Sequence, residues 1–280
     1  MVKLVLNEQN IKEYKNHLFE EEKSQLTVEK YVRDVMAFFT WKHNEEVTRQ
    51  DAVLYKKQLE DSYAPASVNS MLAALNGFFE FCGMPQMKVK PIKIQKAMFA
   101  SADRELSQTE YKRLIKAAKN TRNERLSLVM QVICSTGIRV SELRFITVEA
   151  VQTGRAEVSS KGKRRTVFLR PEMKQSLLRY AKKRGIISGC IFLSRNGNPL
   201  NRHKIWADMK ALCNAADVDP VKVFPHNLRH LFARTFYSIE KDLGRLADIL
   251  GHSSINTTRI YTMECGNEHV RMLRKMPLLI

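Results

Sequence analysis

The hydrophobic positions of the first hundred residues recur every three or four residues, the spacing of one buried face of an α-helix. Tyr31, Val35 and Phe38 show this spacing most clearly. The pattern predicts four helices, at about residues 8–22, 27–43, 48–61 and 65–82. We therefore expect the chain to begin with a small all-helical bundle.

Polar and special residues mark the ends of these predicted helices. Thr27 and Thr48 are placed to cap the second and third helices, and Asp51 completes a capping box with Thr48. Pro65 suits the first turn of the fourth helix, and Gly83 suits its end.

A lysine-rich stretch with little periodicity separates this bundle from the rest of the chain. Residues 88–104 carry four lysines around a proline, so we interpret them as an extended basic linker between domains at 1–87 and 105–280. The charge run leaves two interpretations open, a solvated linker or a cationic strap that follows a phosphate backbone.

The second domain combines helical and strand-like patterns. Ser107 and Glu110 form a capping box, and amphipathic helices are predicted near residues 107–120, 123–136 and 141–147. Between about 151 and 169, two short runs flank a tight turn at Gly162, which predicts a β-hairpin, and helices are expected to follow. The predicted fold class is mainly α with a small β-sheet.

Composition excludes several classes of protein. With 44% hydrophobic and 27% charged residues, the 280-residue chain is typical of a globular protein, which excludes disorder. No apolar run approaches the 18 residues of a membrane span and the start lacks a signal-peptide core, so we expect a cytoplasmic protein without a membrane partner. The five cysteines are too far apart for a CxxC metal knuckle.

The charge balance predicts a polyanionic partner. Lys and Arg number 47 against 29 Asp and Glu, a net charge of +18. Residues 1–100 hold 14 basic and 13 acidic side chains, whereas residues 101–280 hold 33 and 16. We expect the polyanion to contact the C-terminal part most closely.

Candidate chemistry is concentrated in four segments: STGIRVSEL with Arg139, SSKGKRR with Lys161, PHNLRH with His226 and Arg229, and LGHSSINTTRIYT with His252 and Tyr261. This set lacks the paired carboxylates of a glycosidase and the ligand clusters of a metal site. Guanidiniums bind phosphate oxygens bidentately, and a tyrosine hydroxyl is a nucleophile for a transesterification that needs neither ATP nor metal. Pro225 predicts a helix start that places the third segment's histidine and arginine near a positive N-terminus. These residues favour phosphoryl transfer.

In this order the residues resemble the motif of the tyrosine site-specific recombinases, the phage integrase family, most closely its short Xer-type and small mobile-element members. The resemblance covers nearly the whole chain and includes the nine-residue step from His252 to Tyr261. It implies an enzyme without a cofactor that cuts and rejoins DNA through a 3′-phosphotyrosine. Strand exchange between two sites then serves integration, excision, inversion or dimer resolution.

The resemblance also implies a role for each motif residue. Tyr261 would be the nucleophile, and Arg139, Arg229 and His252 would bind the phosphate oxygens. Lys161 would be the general acid.

His226 would assist proton transfer or hold a phosphate oxygen, and Glu142 would orient the first arginine of the motif. Lys163 stays open as an alternative acid. Three further arginines are interpreted as phosphate contacts or solvated charges: Arg144, Arg164 and Arg165.

The implied architecture is an N-terminal helical, SAM-like core-binding bundle and a C-terminal catalytic domain that clamp double-stranded DNA. Family members act as tetramers on two specific recombination sites, often exchange a C-terminal segment between neighbours, here residues 266–280, and in some cases use a second recombinase or an accessory factor. Arg234 and Met263 depart from the family pattern, which often has a small residue and a histidine there. Two other functions remain open: a type IB topoisomerase-like enzyme and a non-catalytic DNA-binding regulator on the same fold.

Overall fold

The computed structural model describes residues 8–43, 46–94, 104–160, 163–252, 254–259, 261 and 274. The chain divides into two compact units, Met1–Lys96 and Ala97–Ile280, each with its own hydrophobic core. In the part of the chain so described, no helix combines the length and the apolar composition needed to cross a bilayer.

The N-terminal unit contains four helices, as the hydrophobic pattern predicts. They are α1 (Glu8–Glu20), α2 (Gln25–Trp41), α3 (Arg49–Ser62) and α4 (Pro65–Phe81), followed by a 3₁₀ turn at Pro85–Met87. Aromatic rings fill the core, where Phe39 packs edge-on against Phe38 and Phe78 with ring centroids 5.3 and 5.7 Å apart. Such edge-to-face pairs stabilise a core beyond the area that they bury.

Local polar residues set the ends of these helices. Thr48 and Asp51 form the predicted capping box, and Pro65 occupies the first turn of α4. The predicted cap at Thr27 is wrong: the Ser24 hydroxyl accepts the backbone N–H of Thr27, so α2 begins one residue after Ser24. The competing serine three residues upstream offers the same capping chemistry.

After α4 the chain runs extended over residues 88–94 and is held along that helix. Asn76 makes two hydrogen bonds to the backbone of Val89, at 2.9 and 3.0 Å. Asn69, two turns earlier, binds the backbone of Ile92 in the same way, at 2.9 and 2.7 Å. The first part of the predicted linker is therefore attached to the N-terminal unit, and most of the rest lies outside the described residues.

The C-terminal unit is mostly helical with one antiparallel hairpin, which confirms the predicted fold class. Its helices are α5 (Gln108–Asn120), α6 (Glu124–Thr136), α7 (Val148–Thr153), α8 (Pro171–Lys183), α9 (Arg202–Lys210), α10 (Cys213–Ala216), α11 (Pro225–Glu240), α12 (Leu243–Leu250) and α13 (Ile255–Arg259). Strands β1 (Arg155–Ser160) and β2 (Lys163–Phe168) pair with Arg155 opposite Phe168. The predicted turn residue, Gly162, lies outside the described residues.

Three predictions for this unit are wrong in detail. Residues Val140–Phe145 form a 3₁₀ helix and not the α-helix expected at 141–147, because the Glu142 carboxylate folds back onto the N–H of Arg139 and holds a tight turn. The short helix α7 precedes the hairpin, so its first strand starts four residues later than expected. Residues 184–201 are irregular where helix was expected, since glycines with left-handed φ interrupt them.

Helix α6 is the centre of this unit. It is buried along most of its length and packs against α5, α8, α9 and α11. At its C-terminal end Gly137 adopts a left-handed conformation and ends the helix. The next residues therefore turn back beside α11, and the site is built at this junction.

Candidate active site

Arg229 is the buried centre of the site. It lies one turn into α11, which begins at Pro225 as predicted, and the residue is 1% exposed. Its guanidinium donates hydrogen bonds to the carbonyl oxygens of Gly137 and Leu250, the latter at 2.7 Å, and contacts His252 Nε2 at 3.0 Å. These contacts join the ends of α6 and α12 to α11.

The positive charge of Arg229 is poorly compensated for a buried group. Its Nε atom is buried without a hydrogen-bond partner among the described residues, and its other nitrogens bind carbonyls and an imidazole. Burial, and then the nearby charge of Arg139, lower the pKa of Arg229 to about 10, so it stays a cation at neutral pH. Burying a cation without an anionic partner is costly. The site is therefore suited to bind an anion.

Glycine at position 137 allows the close approach to Arg229. Its φ is +65°, and an added Cβ would lie 2.5 Å from Phe232 Cδ1 and 2.8 Å from Leu250 Cδ2. A side chain at position 137 would push α12, or α11 with its Arg229, away from the Gly137 carbonyl that Arg229 binds.

Arg139 and Arg165 bind the same buried carboxylate. The Glu142 side chain is 3% exposed, and it accepts hydrogen bonds from Arg139 NH1 at 2.9 Å and Arg165 NH2 at 2.6 Å. The backbone N–H of Arg139 donates a further hydrogen bond to it at 2.8 Å. Arg165 comes from β2 and crosses Gly251, where an added Cβ would lie 2.5 Å from Arg165 Cδ. Glu142 thus fixes two cations from separate parts of the chain.

The charge state of Glu142 follows from these contacts. Burial by itself raises the pKa of the carboxyl, but the hydrogen bond from the Arg139 backbone and the charge of Arg165 outweigh it and hold the pKa below its ordinary value. Glu142 is therefore a carboxylate at neutral pH and stabilises both guanidiniums in place.

Tyr261 lies inside the site of its own chain. The residue is 5% exposed, and its hydroxyl oxygen is 3.5 Å from His226 Nε2. Its ring meets His230 edge-on with centroids 4.6 Å apart and lies nearly parallel to His252 with centroids 5.6 Å apart. Three histidines therefore surround the candidate nucleophile.

These histidines are neutral at physiological pH. Burial, followed by the charge of Arg229, lowers the pKa of His252 to about 4. Burial and the adjacent His226 lower the pKa of His230 to about 4. Burial and Arg229 also lower the pKa of His226, so its ring is able to accept a proton from a neighbouring hydroxyl.

A cavity of about 180 Å³ opens beside these residues. Its charged lining is formed by Arg139, Arg164, Arg165, Glu142 and Asp248, with His252 at one side. Sites for drug-sized ligands span about 300–1,000 Å³, so this cavity suits one small group such as a phosphate. Among the described residues, no group of three or more His, Cys, Asp or Glu is placed to hold a metal ion.

The structure brings together five of the residues that the sequence singles out: Arg139, His226, Arg229, His252 and Tyr261. Glu142 lies directly against the first of them. Lys161 lies outside the described residues, and only the backbone of Lys163 is described, at the start of β2.

Two residues of the cluster are missed by the sequence analysis. The interpretation of Arg165 as a solvated charge is wrong, because its side chain is 11% exposed and paired with Glu142. Its role as a phosphate contact stays a prediction, and the side chain does line the cavity. Strand periodicity carries the missing signal: Val167, two residues further along β2, is buried, whereas Arg164 is exposed. His230 lies four residues after the first histidine of its segment, a spacing that places both on one helix face.

Comparison with known proteins identifies both halves of the chain. Residues 104–267 match the phage integrase family, and residues 11–83 match the phage integrase N-terminal SAM-like domain. The tyrosine recombinase XerA of Pyrococcus horikoshii is 27% identical over 277 residues, which cover 95% of this chain and 93% of XerA.

Solved structures share the fold. A crystal structure of XerA recombinase is 25% identical, with a TM-score of 0.54, and the match covers 97% of this chain and 99% of that one. A lambda integrase tetramer bound to a Holliday junction gives a TM-score of 0.72 at 20% identity, over 93% of this chain and 77% of that one. With the family match extending over more than half of its residues, the chain belongs to the phage integrase family.

Proposed function

We propose that this chain is a site-specific tyrosine recombinase that cuts and rejoins double-stranded DNA, with Tyr261 as its nucleophile. The observation that carries the proposal is the buried Arg229 cation, whose Nε has no partner among the described residues and lies in the same cluster as the Tyr261 hydroxyl. A phosphodiester supplies the missing anion and the electrophile together. The excess of basic residues after position 100 suits binding of the DNA phosphates on either side of the cleaved phosphodiester.

The first step is attack of the Tyr261 hydroxyl oxygen on the phosphorus. A phosphorus–oxygen bond forms to the tyrosine as the bond to the 5′-oxygen breaks, giving a 3′-phosphotyrosine and a 5′-hydroxyl. Neutral His226, whose Nε2 is 3.5 Å from the tyrosine oxygen, accepts the tyrosine proton. Lys161 donates a proton to the departing 5′-oxygen, with Lys163 as the alternative donor.

Arg139 and Arg229 stabilise the charge that builds on the non-bridging oxygens during attack. His252 acts through Arg229, because its Nε2 accepts a hydrogen bond from that guanidinium and so has no proton to donate to a phosphate oxygen. Both cations are fixed before substrate arrives, by Glu142 and by backbone carbonyls respectively, so little reorganisation is needed. Attack by a 5′-hydroxyl of a second DNA duplex reverses the chemistry and completes the exchange. Each step conserves the number of phosphoester bonds, so no ATP is required.

Tyr261 acts on the phosphate held by its own chain in this proposal. Its ring is buried among His226, His230 and His252 of the same chain, which places the hydroxyl without help from a neighbour. The intermediate of each cleavage event therefore forms in cis.

Assembly and location belong to the same proposal. The lambda integrase tetramer on a Holliday junction supports assembly of this chain into a tetramer on DNA. The proposal adds two specific recombination sites, a location in the cytoplasm, and a second recombinase or accessory factor as a further candidate partner. The segment proposed to dock on a neighbour, residues 266–280, lies almost entirely outside the described residues. Unchanged assembly on DNA after deletion of residues 268–280, measured by mass photometry, would rule out that docking.

Covalent capture of genomic DNA tests the proposed function. The protein is mixed with fragmented DNA from its host, denatured with detergent and precipitated, and the attached ends are sequenced. Recurrent ends are expected with the native chain and none with Tyr261→Phe. The proposal is wrong if Tyr261→Phe traps the same ends. It is also wrong if the native chain forms no covalent bond with nicked suicide substrates built from the DNA sites that it enriches by noncovalent binding.

A relaxation assay separates recombination from the topoisomerase-like alternative. Supercoiled plasmid without an enriched site should stay supercoiled, because the enzyme needs two specific sites. Efficient relaxation of such a plasmid would favour cleavage and religation of a single strand.

A further inference from the structure

Both ring nitrogens of His252 are engaged. Nε2 lies 3.0 Å from Arg229 NH2, and Nδ1 lies 2.7 Å from the hydroxyl oxygen of Thr258. A guanidinium only donates hydrogen bonds, so Nε2 must present its lone pair to Arg229. The low pKa of His252 leaves one proton on the ring, which must then be on Nδ1 and be donated to the Thr258 oxygen.

Thr258 is built into the segment that carries the nucleophile. It belongs to α13, three residues before Tyr261, and α13 packs against α12. It is the buried residue of α13, at 0% exposure, while its neighbours Thr257 and Arg259 are exposed. The Thr258 hydroxyl therefore reaches the site only when α13 is docked on the unit.

We infer that Thr258 is a positioning residue that couples docking of the tyrosine-bearing helix to the orientation of His252. Its hydroxyl holds the Nδ1 edge of the ring, so the Nε2 edge faces Arg229 and the adjacent cavity. The phosphate site is thereby completed by the same movement that delivers Tyr261. The inference rests on the proposed roles of His252 and Tyr261 and adds a dependence between them.

Completing the phosphate site only when α13 docks has a chemical advantage. An undocked α13 leaves His252 without its Nδ1 partner and free to rotate about its side-chain bonds, so the site is incomplete while the nucleophile is absent. Docking supplies both groups together. Cleavage is then confined to the state in which the phosphate is fully held.

Two variants isolate the hydroxyl. Thr258→Val keeps the shape and the β-branch but removes the acceptor, whereas Thr258→Ser keeps the hydroxyl. Thr257→Val is the matched control, because it makes the same chemical change at the exposed neighbouring position. Thermal unfolding of each full-length variant verifies that the fold is retained.

The first readout is ¹⁵N NMR of the histidine rings in the DNA-free protein. We expect the native chain, Thr258→Ser and Thr257→Val to show His252 as the neutral Nδ1–H tautomer, and Thr258→Val to show loss of that single state. An Nε2–H tautomer in the native chain, or an unchanged spectrum in Thr258→Val, would overturn the inference. This readout does not depend on recombinase activity.

The second readout separates binding from cleavage on a nicked suicide substrate. In metal sites, losing the outer partner that orients a ligating histidine typically costs about 10–100-fold in affinity or activity, and we take that range as the scale for His252. We expect that loss in the rate of covalent complex formation for Thr258→Val, with DNA affinity unchanged and with recovery to near the native rate in Thr258→Ser. Equal cleavage rates for Thr258→Val and Thr257→Val would refute the coupling. Absence of covalent complex in the native chain would instead refute the proposed function, and the NMR result would still decide the tautomer.

Discussion

Replacing Arg165 by methionine removes one of the two cations that bind the Glu142 carboxylate. The Arg165–Glu142 contact is 2.6 Å long, and the two side chains are 11% and 3% exposed, so water screens the pair weakly. Breaking a buried ion pair by removing one partner costs about 3–5 kcal/mol. Because Glu142 keeps Arg139, we expect a loss near the lower end, about 3 kcal/mol in the free energy of unfolding of the C-terminal unit.

Arg164→Met is the matched control for this change. It removes the same charge from the adjacent position of β2, where the side chain is exposed and no ion pair with a described residue is formed. An exposed substitution of this kind changes stability by less than about 0.5 kcal/mol. Both variants lower the net charge equally, so their difference isolates the buried pair.

The two tryptophans allow the C-terminal unit to be followed separately. Trp41 belongs to the N-terminal unit and Trp206 to the C-terminal one. In a Trp41→Phe background, urea unfolding of the full chain monitored by tryptophan fluorescence reports the unit that contains Arg165. Equal midpoints for Arg165→Met and Arg164→Met would refute the reasoning.

The pH dependence supplies a second check on the same pair. The folded-state pKa of Glu142 lies below its ordinary value. The Glu142 carboxylate therefore stabilises the fold fully above the unfolded-state pKa of about 4.3, and this stabilisation is lost as the pH falls through the folded-state pKa. The stability difference between the native chain and Arg165→Met should therefore be full at pH 7 and shrink below about pH 4. A difference that stays constant with falling pH would show that the carboxylate charge is not its source.

Three further predictions follow from other contacts. Gly137→Ala should cost about 2–4 kcal/mol of stability, measured by urea unfolding, from left-handed strain and overpacking. Gly154→Ala should cost only about 1 kcal/mol from the left-handed strain alone, because an added Cβ there meets nothing within 4 Å. Asn76→Ala removes both hydrogen bonds to the extended segment after α4 and should speed tryptic cleavage there; an unchanged digestion pattern would contradict this role. Mixing Tyr261→Phe with Arg229→Ala should not restore DNA cleavage, because the nucleophile lies in its own chain's site; recovered covalent product would indicate attack in trans.

Features governed by neighbouring residues could be predicted from the sequence. The capping boxes at Thr48 and Ser107 depend on side chains three residues apart, and both are present in the structure. The error at Thr27 arises because Ser24 offers an equivalent local cap, and only packing of the helix selects between them.

Features that depend on distant parts of the chain could not be predicted in the same way. The contact between Arg165 and Glu142 joins residues 23 positions apart through the hairpin, and the sequence motif gives no sign of it. The contact of His252 with Thr258 is short in sequence, yet its meaning depends on Arg229, which fixes the other ring nitrogen. The motif predicts which residues come together in the site. The ion pair that compensates the charge of Glu142 and the tautomer of His252 can be identified only from the folded structure.

Direct identification of the DNA–protein bond tests the central claim. Covalent complexes formed by the native chain are digested with trypsin and nuclease, and the modified peptide is sequenced by mass spectrometry. The account predicts a nucleotide joined through its 3′-phosphate to Tyr261, together with free 5′-hydroxyl ends on the cleaved DNA. A bond to any other residue, or through a 5′-phosphate, would contradict it.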